Sequence, residues 1–178
     1  MTLLSYTMIG RGYNNIACIH IENGDLNTAM TYLNKAVSIS EENSDICTNK
    51  GIIAARTGEL GNAQVLFDKA KNSEKNKAIL DLRKGDYTKA ARFFKNKKSY
   101  NATLAQLMNG KNSVRCNEAN AACHYLNAIA ATRSANNEEA IKNLKEAIKK
   151  DSSYKKDAIK DLEFINLRNN ESFIKLTE

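Results

Sequence analysis

An asparagine stands nine residues ahead of a glycine at four successive places in this chain: Asn15 and Gly24, Asn49 and Gly58, Asn76 and Gly85, Asn101 and Gly110. Five residues after the first three glycines comes an alanine, at Ala29, Ala63 and Ala90; the fourth unit has Arg115 there. A recurring register of this kind marks internal repeats, each too small to bury its own apolar face, so that stability comes from stacking neighbours. Such stacks expose a long inner surface, which points to binding rather than catalysis.

Composition says what each repeat is made of. The chain has no proline and no tryptophan, only 8 glycines, and is rich in Ala, Leu, Ile, Lys, Glu and Asn. These favour uninterrupted helices over strands. No run approaches the roughly 18 consecutive apolar residues of a membrane span, and no signal-peptide pattern opens the chain.

The residues of the first unit give the repeat its character. Tyr13, Ala17, Gly24-Asp25-Leu26, Ala29, Leu33 and Ala36 fall where the tetratricopeptide repeat carries its early aromatic, its small residue, its turn and its second-helix contacts. The second unit repeats this with Gly51, Gly58-Glu59-Leu60, Ala63, Phe67 and Ala70, and Ala29 to Ala63 spans 34 residues. The chain resembles that family. The resemblance implies an all-α fold: an α-α superhelix of about five helix-turn-helix units over residues 10–41, 42–72, 73–96, 97–118 and 119–151. A C-terminal cap over 152–178 completes a single domain spanning residues 1–178. The third unit is shortened and the fourth degenerate, its second helix reduced to a turn or two. Ser73 reads as an N-cap, Asn136 with Glu139 as a capping box, and Ser152 to Phe164 as one further amphipathic helix. A last short helix follows, and Phe164 and Phe173 resemble the aromatic seal of bacterial arrays of this family. The abrupt first repeat suggests that Met1 is not the native start and that the chain is the C-terminal part of a larger bacterial protein.

If the first helix of each unit lines the concave face, as the resemblance implies, Asn15, Asn49, Asn76 and Asn101 project into a groove, one per repeat. A carboxamide both donates and accepts, so it suits the backbone of a bound peptide. The same residues would equally serve to fix geometry between neighbouring helices. Arg56, Arg83 and Arg133 form a second ladder, able to meet a carboxylate on a partner or to satisfy free carbonyls at helix ends. These seven residues are the candidate peptide-binding set. The family's carboxylate clamp is not supported, because Asn14 and Cys18 stand where it needs Lys and Asn.

The net charge of +7 is concentrated between Asp68 and Lys98, where eleven basic residues face four acidic ones. Tyr87, Phe93 and Phe94 interleave with them, so a basic nucleic-acid-binding scaffold is the alternative function. Catalysis has little to draw on. His20 and His124 fall in packing slots, Cys123 and His124 are neighbours on a helix and point apart, and no phosphate loop or nucleophile elbow is present. No enzyme activity, cofactor or metal is expected. Cys18, Cys47, Cys116 and Cys123 lack metal-ligand spacing and read as unpaired thiols, which favour a reducing compartment. The resemblance to envelope arrays favours the periplasm instead, and the two remain open. The expected partner is a protein or peptide.

Overall fold

Each register glycine breaks the chain out of a helix. Gly24, Gly58, Gly85 and Gly110 have φ of +81°, +89°, +81° and +84°, the left-handed conformation that glycine enters without a Cβ penalty at a helix C-terminus. In three of the four, the residue after the glycine donates its N–H to a carbonyl five residues back: Asp25 to His20, Glu59 to Ala54 and Lys111 to Gln106, at 2.8 to 2.9 Å. That bond closes the last turn and aims the chain into the next helix.

The computed structural model describes residues 3–178; Met1 lies outside the described residues, and with it the expectation about the native start. All regular elements among the described residues are helical. The chain divides into two compact units, one ending at Gly85 and the other running from Asp86 to Glu178.

In the first unit α1 (Leu3–Glu22) packs on α2 (Leu26–Ile39), α3 (Ser44–Thr57) on α4 (Leu60–Lys69), and α5 (Glu74–Lys84) against α4. Small residues permit the close approach. Ala17, Ala29, Ala36 and Ala63 are fully buried, and Leu33, Ile46 and Phe67 fill the space between them. Caps follow the register too. Asp25, next to Gly24, accepts from Thr28 N–H at 3.1 Å, whereas Glu59, with one methylene more, makes no such bond. Ser73 does not cap α5 as expected. It is buried, and its hydroxyl donates to the carbonyls of Phe67 and Ala70, tying off the end of α4 instead.

The second unit holds α6 (Tyr87–Phe93), α7 (Tyr100–Met108), α8 (Ala121–Arg133), α9 (Asn137–Lys150), α10 (Tyr154–Lys160), a 3-10 helix (Leu162–Leu167) and α11 (Glu171–Thr177). The turn or two expected after Gly110 does not form. Residues 111–119 run as an irregular strap; Asn112, Ser113 and Asn117 are residue types of low helix propensity, and Arg115 stands where the other units have the alanine contact. The strap is anchored where Val114 packs beside Leu107, Leu126 and Ala130, and where Asn117 N–H reaches the Lys98 carbonyl at 2.8 Å. The single helix expected over 152–164 is broken at Asp161, which turns extended and caps the 3-10 helix through Glu163 N–H at 3.0 Å. Asn136 caps α9 by accepting from Glu139 N–H at 3.2 Å, but the Glu139 carboxylate turns to Asn143 rather than closing a box. Phe164, Leu167 and Phe173 bury themselves against Tyr125, Leu144 and Ala147.

Candidate protein-interaction surface

The arginines of the second ladder share one job. Arg56 donates through Nη1 to the Ile21 carbonyl, Arg83 to that of Ala55 at 2.7 Å, and Arg133 to that of Leu107 at 2.8 Å. Ile21, Ala55 and Leu107 each lie three residues before a register glycine, where a helix runs out of partners for its carbonyls and carries the negative end of its dipole. Each arginine thus brackets the end of the preceding first helix. Arg56 and Arg83 remain exposed residues, and one bond uses only one of five N–H donors.

Arg133 is further committed to an ion pair with Glu163, Nε donating to Oε2 at 2.8 Å. The hydrogen bonds from Arg133 hold the Glu163 carboxyl below its ordinary value. A depressed carboxylate stabilises the fold above its unfolded pKa, and that contribution is lost as pH falls through the folded value. The stability gap between the protein and Glu163→Gln should therefore be open at pH 6 and close as pH drops below about 4.5. Urea unfolding across that range is the check, and a gap independent of pH would reject the coupling.

The asparagines are less uniform. Asn49 donates from Nδ2 to Asn14 Oδ1 at 2.9 Å and to Cys18 Sγ at 3.1 Å, linking α3 to α1. Its carboxamide is spent on repeat stacking. Asn15 is exposed on α1, and Asn76 and Asn101 are half-buried on α5 and α7; none of these three has a partner among the described residues. Asn76, Arg56 and Arg83 come together. With Ile52, Ile79 and Phe67 they line an open cleft of about 280 Å³ between α3 and α5. Asn101 and Arg133 lie in the second unit and are not part of it.

Other candidates are accounted for by packing. His20 stacks on Tyr32 at 5.5 Å and sits 3.3 Å from Asp25. Phe94 is buried, and Phe93 meets it edge-on at 5.0 Å under the Lys97 ammonium. The basic stretch therefore offers few bare rings for base stacking. Two cysteines overturn the expectation of four free thiols. Cys116, on the strap, and Cys123, in the first turn of α8, form a disulfide with Cα atoms 5.4 Å apart; Cys18 and Cys47 are free. The strap, an irregular segment without a readable period, folds back on α8 and creates this proximity, which spacing alone does not announce.

A family profile described as tetratricopeptide repeat matches residues 10–43, the stretch holding most of α1 and all of α2. Over those residues the chain is similar to a tetratricopeptide repeat. No match is found among curated proteins. Tetratricopeptide repeats mediate protein–protein interactions and are typically non-catalytic scaffolds. No described helix is long and apolar enough to cross a membrane.

Proposed function

We propose that this chain, whose residues 10–43 are similar to a tetratricopeptide repeat, is an interaction scaffold that binds a segment of a partner protein in the cleft between α3 and α5. One observation carries the reading: an apolar floor of Ile52, Ile79 and Phe67 lies beside an unpartnered Asn76 carboxamide and two guanidinium groups, with no acidic residue in the lining. Apolar walls with a few placed polar groups are the usual make-up of a binding site. Arg56 and Arg83 are held by their carbonyl bonds, so little side-chain freedom is lost on engaging a ligand. The chemistry suits an extended segment with an apolar side chain for the floor, a backbone amide for Asn76 and a carboxylate for the arginines. Asn49 acts behind the site by joining α3 to α1.

The test is a screen of synthetic peptides of that pattern by fluorescence polarisation, repeated with Asn76→Ala. One lost hydrogen bond of about 0.5–1.5 kcal/mol weakens binding roughly two- to tenfold. Circular dichroism should be unchanged, because the Asn76 side chain has no partner among the described residues. Equal affinity of the variant would remove the cleft from consideration. Retention of single-stranded nucleic acid on filters, falling steeply with salt, would favour the basic scaffold instead.

A further inference from the structure

The disulfide has a third neighbour. Cys116 Sγ, Cys123 Sγ and a Glu118 carboxylate oxygen all lie within 4.8 Å of one another, and Glu118 Oε2 is 3.7 Å from Cys123 Sγ. We propose that, once the disulfide is reduced, Cys116, Glu118 and Cys123 form a binding site for a thiophilic divalent cation of the zinc class. The inference is independent of the α3/α5 cleft.

The donor geometry supports it. Zinc with Zn–S of about 2.3 Å and Zn–O of about 2.1 Å at a tetrahedral angle separates sulfur from oxygen by about 3.6 Å, close to the distance between Glu118 and Cys123. The two sulfurs must part to roughly 3.8 Å, which side-chain rotation supplies. The two soft thiolates favour zinc over calcium or magnesium, and zinc accepts the hard carboxylate oxygen as its third ligand.

Each donor is also held by a second layer of bonds. Asn127 grips Cys116 from both sides, its Oδ1 accepting from Cys116 N–H at 2.8 Å and its Nδ2 donating to the Cys116 carbonyl at 2.9 Å. Asn120 accepts from Cys123 N–H at 2.8 Å and donates to Glu118 Oε2 at 3.1 Å. Outer bonds of this kind orient ligands and raise affinity. The sulfurs are buried while Glu118 is exposed, so a cation enters past the carboxylate and keeps a fourth position for water. The positive end of the α8 dipole offsets part of the negative charge.

Metal and disulfide are mutually exclusive states of one pair. A dithiol reductant supplies two electrons and two protons: the S–S bond breaks, both cysteines leave as thiols, and the reductant becomes the disulfide. The cation then takes both sulfurs as thiolates and releases the two thiol protons to water, with no change in its own oxidation state.

The test uses the full chain, reduced, freed of reductant under argon and titrated with Co²⁺, followed by competition with Zn²⁺. Expected are one equivalent of Co²⁺ with thiolate charge-transfer absorption and its displacement by Zn²⁺. The oxidised chain, identical in sequence, should take up neither cation by this signature. Cys18→Ser with Cys47→Ser should bind as the parent does. Cys123→Ser should lose more than about 100-fold in affinity, beyond what removing an outer partner costs, and Asn127→Ala about 10- to 100-fold. Absence of uptake by the reduced chain overturns the proposal, as does uptake that survives Cys123→Ser. Equal affinity of Glu118→Gln overturns the three-donor site.

Discussion

Phe164→Ala is expected to unfold the C-terminal elements while leaving the first unit intact. Phe164 has no exposed surface; it meets the Tyr125 ring edge-on at 5.5 Å and Phe173 at 6.1 Å. Around it converge α10, the 3-10 helix and α11, of 7, 6 and 7 residues. Helices this short do not persist alone, because nucleation costs more than a turn or two of hydrogen bonds returns. Their order must come from the shared apolar cluster. Removing the ring leaves a cavity and costs about 3–5 kcal/mol. Hydrogen exchange should show amides from Tyr154 to Thr177 losing protection, with those of α2 and α3 unaffected. A loss below about 1 kcal/mol would mean that the ring seals nothing.

The fold was legible where a residue type answers a local backbone demand. Gly24, Gly58, Gly85 and Gly110 each sit at positive φ, and only a residue without a Cβ adopts that conformation at no cost. The alanine slots were legible for the same reason, since helices in close contact exclude larger side chains. Reading failed where tertiary partners outbid local preference. Ser73 has the residue type and position of a cap, yet two carbonyls of the preceding segment capture its hydroxyl. Asp161 was hidden inside an amphipathic pattern, and its ability to cap a following turn decided the break.

The candidate site was only partly legible. Sequence names both ladders but cannot say which polar groups a fold consumes. Asn49 and Asn76 occupy the same register; one is bonded across to α1 and the other is left facing a cleft. The difference arises because Asn14 and Cys18 stand one repeat upstream of Asn49 and accept its protons. In the unit of Asn101 and Gly110 the arginine is also missing, with Met108 two residues before the glycine. The ladder's residue identities were visible, whereas its bonds belong to pairs 26 to 35 residues apart.

Gly51 shows how tightly the close approach is enforced, and it supports a second large effect. A Cβ built there would lie 2.6 Å from Phe67 Cε1 and 2.7 Å from Cδ1, on a ring that is itself buried. Alanine gains about 1 kcal/mol of helix propensity over glycine, but the ring cannot yield without displacing Ala54, Ala55 and Leu80 packed in the same cluster. Valine adds two methyl groups with little propensity benefit. Gly51→Val should destabilise the first unit by about 3 kcal/mol, the upper end of overpacking costs. Gly61, near the start of α4, provides the contrast: nothing lies within 4 Å of its Cβ position. Gly61→Ala should stabilise by about 0.5–1 kcal/mol. If the clash with Phe67 is the cause, Phe67→Leu will relieve part of it. The double variant Gly51→Val with Phe67→Leu should then be more stable than the sum of the single losses predicts, by about 1 kcal/mol or more of coupling. Strict additivity in urea unfolding would place the cost of valine in the backbone of α3 and clear the ring.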